Sequence, residues 1–106
     1  MNKTGLSIRE ALQKFVEQQE LVLRDHDHKG EAGWLKKSLK DLYAGLCIEV
    51  DELDDALDTY EDTPDDVERK ELIRECCDVA NFAMMIADLV QEMEKKRNEA
   101  AATAER

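Results

Sequence analysis

The chain is 106 residues long, enough for one domain with a modest core and short for a helical enzyme that must also enclose a substrate. Its net charge of −11, from 26 acidic against 15 basic residues, argues against a sequence-independent grip on nucleic acid polymers unless a basic patch is concentrated somewhere. Charged residues at 39%, aromatics at 5% and a single proline favour helices over sheet.

The N-terminal stretch MNKTGLSIRE has no apolar segment of the kind that marks export, which points to a cytoplasmic chain. Cys47, Cys76 and Cys77 show neither a disulfide framework nor zinc spacing and read as small buried hydrophobes in a reducing compartment. Ser7 and Glu10 form a capping-box pattern. Apolar residues then recur at helical spacing from Ile8 through Phe15 to Leu23, predicting a first helix over about 8–24. Residues 24–33, RDHDHKGEAG, carry two glycines, no apolar period and both histidines, and read as a loop.

A second helix is expected from Trp34, with Leu35, Leu39, Leu42, Leu46, Val50, Leu53, Leu57 and Tyr60 on a near-heptad stripe. Thr63-Pro64-Asp65-Asp66 reads as the start of a third, with Thr63 as N-cap and Pro64 at the first position. Its apolar positions cover much of the circumference, so it should be the most buried helix. Arg74, Glu75, Asp78 and Asp88 interrupt it too often for a membrane span. The domain is expected over 1–94, and 95–106 as a tail that frays or continues as a solvated helix.

Two acid pairs stand out. Glu49 and Glu52 lie three apart beside the apolar stripe, and Glu75 and Asp78 repeat that spacing in the least polar segment. Residues i and i+3 share one side of a helix, so two adjacent helices would aim four carboxylates into one volume. Bare anions there would repel one another and suffer desolvation, and a hard cation removes the conflict. An oxygen-only donor set without Glu-x-x-His favours Mg²⁺ or Mn²⁺ over zinc, copper or a di-iron centre. Structural salt bridges to Arg74 or a lysine are the competing explanation.

The segment E49-V-D-E52, then, after residues 53–74, E75-C-C-D78, resembles the ExxE…ExxD signature of the MazG-like all-α nucleoside triphosphate pyrophosphohydrolases. The likeness runs from Trp34 to Asp88 and includes the apolar pattern around both pairs. It implies a helical bundle of three main helices completed by oligomerisation as a homodimer or homotetramer. It also implies Mg²⁺-dependent conversion of a (d)NTP to (d)NMP and pyrophosphate in control of the nucleotide pool. Glu49, Glu52, Glu75 and Asp78 would be the metal ligands, one glutamate doubling as general base. The loop HDHKGEAGW and the Cys76-Cys77 pair depart from better-known members and leave base preference open.

Other candidates are ambiguous by residue type. Asn81, three residues past Asp78, suits the metal shell, the substrate or an interface amide. Trp34 suits base stacking or a core anchor. His26 and His28 suit phosphate or solvent. Lys29, Lys36, Lys37, Lys40 and Arg74 are the cations at hand for the leaving pyrophosphate, Lys36 and Lys40 being favoured because one helix row would hold both. A non-catalytic acidic interaction module and a pyrophosphohydrolase of phosphoribosyl-nucleotides are the alternative functions.

Overall fold

A computed structural model describes residues 5–26 and 33–104. It is helical, with no strand among the described residues: α1 (Glu10–Asp25), a 3-10 turn (Gly33–Lys36), α2 (Leu39–Asp62) and α3 (Asp66–Ala104). α3 has 39 residues, about 58 Å at the helical rise, and it sets the longest dimension of 63 Å. α2 packs along α3, and α1 and the 3-10 turn also dock on α3. The third helix is thus the central one, as its apolar circumference requires, and four of the six buried residues among those described lie on it.

The helix starts differ from the sequence expectation in three places, each for a local reason. α1 begins at Glu10 with Arg9 as N-cap and no side-chain cap. Ser7 lies outside the helix, and Ile8 stays exposed. Trp34 belongs to the separate 3-10 turn; α2 starts after Ser38, whose Oγ accepts the Asp41 N–H at 3.1 Å. That Ser-x-x-Asp signal was legible in the sequence. Thr63 closes α2, its N–H bonded to the Thr59 carbonyl. Asp65 caps α3 instead, accepting the Glu68 N–H at 2.8 Å, because a carboxylate at that position is the better acceptor at the positive end of a helix.

The inward row of α2 is Leu42, Leu46, Glu49, Leu53, Ala56 and Tyr60. Leu39, Val50 and Leu57 of the expected stripe fall on an exposed shoulder beside it, together with Tyr43. A straight α-helix of 3.6 residues per turn drifts away from a 3.5-residue stripe, and the drift brings Glu49 inward where Val50 was expected. Cys47 is exposed, against the expectation of burial, because it lies on the side of α2 away from α3; Cys77 is fully buried, and all three cysteines are free. Past Gln91 the helix runs on to Ala104, exposed from Met93 onward, with no break at residue 94. No described helix is long and apolar enough to cross a membrane.

Gly45 has a packing cause. A Cβ there would lie 2.7 Å from Phe82 Cζ and 3.1 Å from Cδ1, so the ring of α3 rests directly on the backbone of α2. The close approach draws the two helices together where the acid pairs face each other. Gly45→Ala should therefore destabilise the protein: overpacking costs about 1–3 kcal/mol, which exceeds the gain of about 1 kcal/mol in helix propensity. Thermal melts should show a lower Tm for Gly45→Ala and partial recovery in Gly45→Ala/Phe82→Leu; an unchanged or higher Tm in the single variant would contradict this packing.

Candidate functional site

The inward turn of α2 carries Glu49 half-buried, with Glu52 at its exposed edge, while α3 presents Glu75 at 8% exposure. One carboxylate oxygen from each of these three glutamates lies within 4.8 Å of the other two. Glu49 Oε2 and Glu75 Oε2 are buried with no hydrogen-bond partner among the described residues. A carboxylate oxygen so placed costs free energy unless a proton or a cation meets it.

The acid equilibria carry the same strain. Burial pushes the Glu75 carboxyl up to about 8, helped by a hydrogen bond with Glu71 and by the charges of Asp78, Glu52 and Glu49. Glu49 rises to about 7, first from burial, then from its hydrogen bond with Glu52 and the charges of Asp78 and Glu52; a hydrogen bond with Glu75 acts the other way. Two carboxyls can bond to each other only by sharing a proton, so the cluster holds protons near neutral pH. Asp78 is raised by burial, then drawn back by Arg74 and His26.

Glu49, Glu52 and Asp78, though not Glu75, edge a cavity of about 500 Å³ between α2, α3 and the end of α1. Glu49, Glu52 and Asp78 line one part, Trp34, Phe82 and Met85 another, and Lys37, Arg74 and His26 bring positive or protonatable groups. The predicted quartet thus divides: the three glutamates converge, and Asp78 borders the same cavity without joining the three-glutamate group. Asp78 is not in an ion pair with Arg74, whose Nη1 pairs instead with Asp25 Oδ2 at 2.9 Å.

Trp34 Nε1 donates to Asp88 Oδ2 at 2.9 Å, so the indole anchors the 3-10 turn to α3 while its ring also lines the cavity. Asn81 is buried at 3% exposure and grips α1: its Oδ1 accepts from Gln19 Nε2 at 3.1 Å and its Nδ2 donates to the Gln19 carbonyl at 3.4 Å. That pairing makes it the interface amide that was one of the expectations, and Asn81 also lines the cavity beside Asp78. Lys36 and Lys40 are exposed and do not line the cavity, and they share no helix row because Ser38 starts a new helix between them. Lys37 and Arg74 take the place expected for them. His28 and Lys29 lie outside the described residues. Glu71 was missed; its signal is the i, i+4 spacing to Glu75, which puts both on one face of α3.

The donor set fits a hard divalent cation. Three carboxylate oxygens converge, two of the residues carry a buried oxygen without a hydrogen-bond partner, and among the described residues no nitrogen or sulfur donor joins them. No protein-family model matches the chain, and no curated protein or solved structure matches it either.

The raised carboxyls fix the sign of a pH dependence. Below about pH 4.5 the folded and unfolded chains both hold these protons. Between there and about 8 only the folded chain keeps them, so stability present at low pH is lost as the pH rises through about 7 and 8. In EDTA, the Tm should fall from pH 5.5 to 8.5, and Glu75→Gln should flatten that slope. Should wild type instead gain stability over this interval, or Glu75→Gln keep the full slope, the buried-acid description would be wrong.

Proposed function

We propose that this protein is a divalent-cation-dependent pyrophosphohydrolase of nucleoside triphosphates, related to the MazG-like enzymes, that releases pyrophosphate and leaves a (d)NMP. The observation that carries the reading is the meeting of Glu49, Glu52 and Glu75 from two helices within 4.8 Å, with a buried oxygen of Glu49 and of Glu75 that no described residue pairs with, beside a cavity that also holds cations and apolar side chains. An adaptor surface has no use for acids held inside an apolar row, where they oppose folding.

Glu49, Glu52 and Glu75 would hold the cation, Mg²⁺ or Mn²⁺, with Asp78, which lines the same cavity as Glu49 and Glu52, completing the set. When bound, such an ion neutralises phosphate charge and acidifies a coordinated water. The chain's own part is to place the substrate between the acids and those apolar side chains. There the ring of Trp34, pinned through its N–H to Asp88, offers a flat face for the base. Water attacks the α-phosphorus; the new P–O bond forms as the bond to the bridging oxygen of the leaving pyrophosphate breaks. A carboxylate of the set takes the water's proton.

Self-association belongs to the same proposal. Leu39, Tyr43, Val50 and Leu57 make an exposed apolar shoulder on α2, and only Val22, Leu42, Cys77 and Leu89 form the buried apolar core of the described chain. An exposed contiguous apolar row of this kind marks a contact surface, which a homodimer or homotetramer would cover.

The test is a panel of NTPs, dNTPs and phosphoribosyl-nucleotides with Mg²⁺, read for pyrophosphate and separately for orthophosphate. Pyrophosphate should appear first, and Glu75→Gln should lower kcat by at least about a hundredfold while circular dichroism stays helical. Orthophosphate as first product, no turnover of any of these substrates, or near-normal turnover in Glu75→Gln would each contradict the proposal.

A further inference from the structure

Arg74 is the residue whose surroundings the proposed chemistry leaves unexplained. It stands on α3 immediately before Glu75 and one turn before Asp78, and it lines the cavity that Glu49 and Glu52 border. Among the described residues Lys37 is the only other lysine or arginine lining it. Yet the guanidinium is turned to Asp25, the last residue of α1, at 2.9 Å, with the arginine side chain 41% exposed and the aspartate 57%.

That partner is oddly placed on stability grounds. An aspartate in the last turn of a helix opposes the negative end of the helix dipole, and the neighbouring groups that also act on Arg74, Asp78 and Glu71, are acids. A half-exposed ion pair contributes little to folding, and α1 is already fastened to α3 by the Gln19–Asn81 bonds. The pair is thus cheap to exchange. A planar guanidinium fits phosphate oxygens as a two-pronged donor, and a pyrophosphate offers more negative charge than one carboxylate.

We propose that Arg74 is a polyphosphate-binding residue held in reserve by Asp25: when the pyrophosphate portion of a substrate enters the cavity, the guanidinium leaves Asp25 for the phosphate oxygens. The inference rests on the proposed polyphosphate chemistry of this site and adds the group that grips the leaving portion, together with the carboxylate that competes for it. Asp25 weakens binding of the anion, and in doing so eases release of pyrophosphate after the bond breaks.

The two residues must then act with opposite sign. Calorimetric titration of the full chain with inorganic pyrophosphate in excess Mg²⁺ should show at least about tenfold weaker binding in Arg74→Gln. Asp25→Asn should bind about two- to fivefold more tightly than wild type, the range that an exposed ion pair allows. Arg74→Lys should fall between wild type and Arg74→Gln. If the pair were only a tether for α1, both Arg74→Gln and Asp25→Asn would weaken binding alike or leave it unchanged, and either result overturns the proposal; so does a wild-type protein that binds no pyrophosphate. Should Arg74→Gln fail to fold, the direction of the change in Asp25→Asn decides alone. Turnover of nucleotides by wild type is read separately: opposite shifts in pyrophosphate affinity without nucleotide turnover would sink the enzymatic reading and keep this one, and turnover with parallel shifts would do the reverse.

Discussion

The structure depends on a conflict between charge and burial at one point of the α2–α3 contact. Glu75 and Glu49 place carboxylate oxygens where no hydrogen-bond partner among the described residues reaches them, with Glu52, Glu71 and Asp78 close enough to raise their proton affinity. Left to itself the arrangement opposes folding, since each acid must hold a proton or suffer both desolvation and repulsion. Much of the remaining packing can be understood as holding these acids together in spite of it. Phe82 lies on the bare backbone of Gly45, which keeps α2 close to α3, and Leu42 and Cys77 are fully buried in the small apolar core. Such local violations of folding rules are expected where function requires them.

Longer-range bonds hold other parts of the cavity lining in place. Trp34 reaches Asp88 through its indole N–H, which explains why the chain makes a separate 3-10 turn before Ser38 starts α2. Gln19 and Asn81 join α1 to α3 in the buried layer, and Arg74 with Asp25 joins them again at the surface. The buried tie is paired at both ends of the amide and holds the helix in place; the surface tie is a single exposed ion pair whose contribution water largely screens. One scaffold therefore carries both a buried and a surface attachment of α1.

The three helices and the facing of Glu49 and Glu75 were legible in the sequence, because apolar periodicity fixes helix faces and acids set in an apolar stretch must point somewhere costly. What was not legible depended on tertiary contacts or on short-range competition between caps. The stripe through Leu39, Val50 and Leu57 looked like the core, and only the docking angle of α2 on α3 shows that Glu49 turns inward while those residues form a shoulder. Lys36 and Lys40 were paired on a helix that does not exist at Lys36, since Ser38 outcompetes continuation from Trp34. Asn81 could be seen as a buried amide, but its partner lies on another helix, 62 positions away. Glu71 was hidden by the abundance of acids in so anionic a chain.

The central claim is that the Glu49, Glu52 and Glu75 cluster exchanges protons for a divalent cation. Titration of the full chain with Mg²⁺ or Mn²⁺ at pH 7, by calorimetry in two buffers of different ionisation enthalpy, tests it most directly. Carboxyls pushed to about 7 and 8 are substantially protonated at that pH, so cation binding should release about one proton per ion, and the apparent binding enthalpy should differ between the buffers accordingly. Absence of binding up to millimolar cation, or binding with equal enthalpy in both buffers, would contradict the claim.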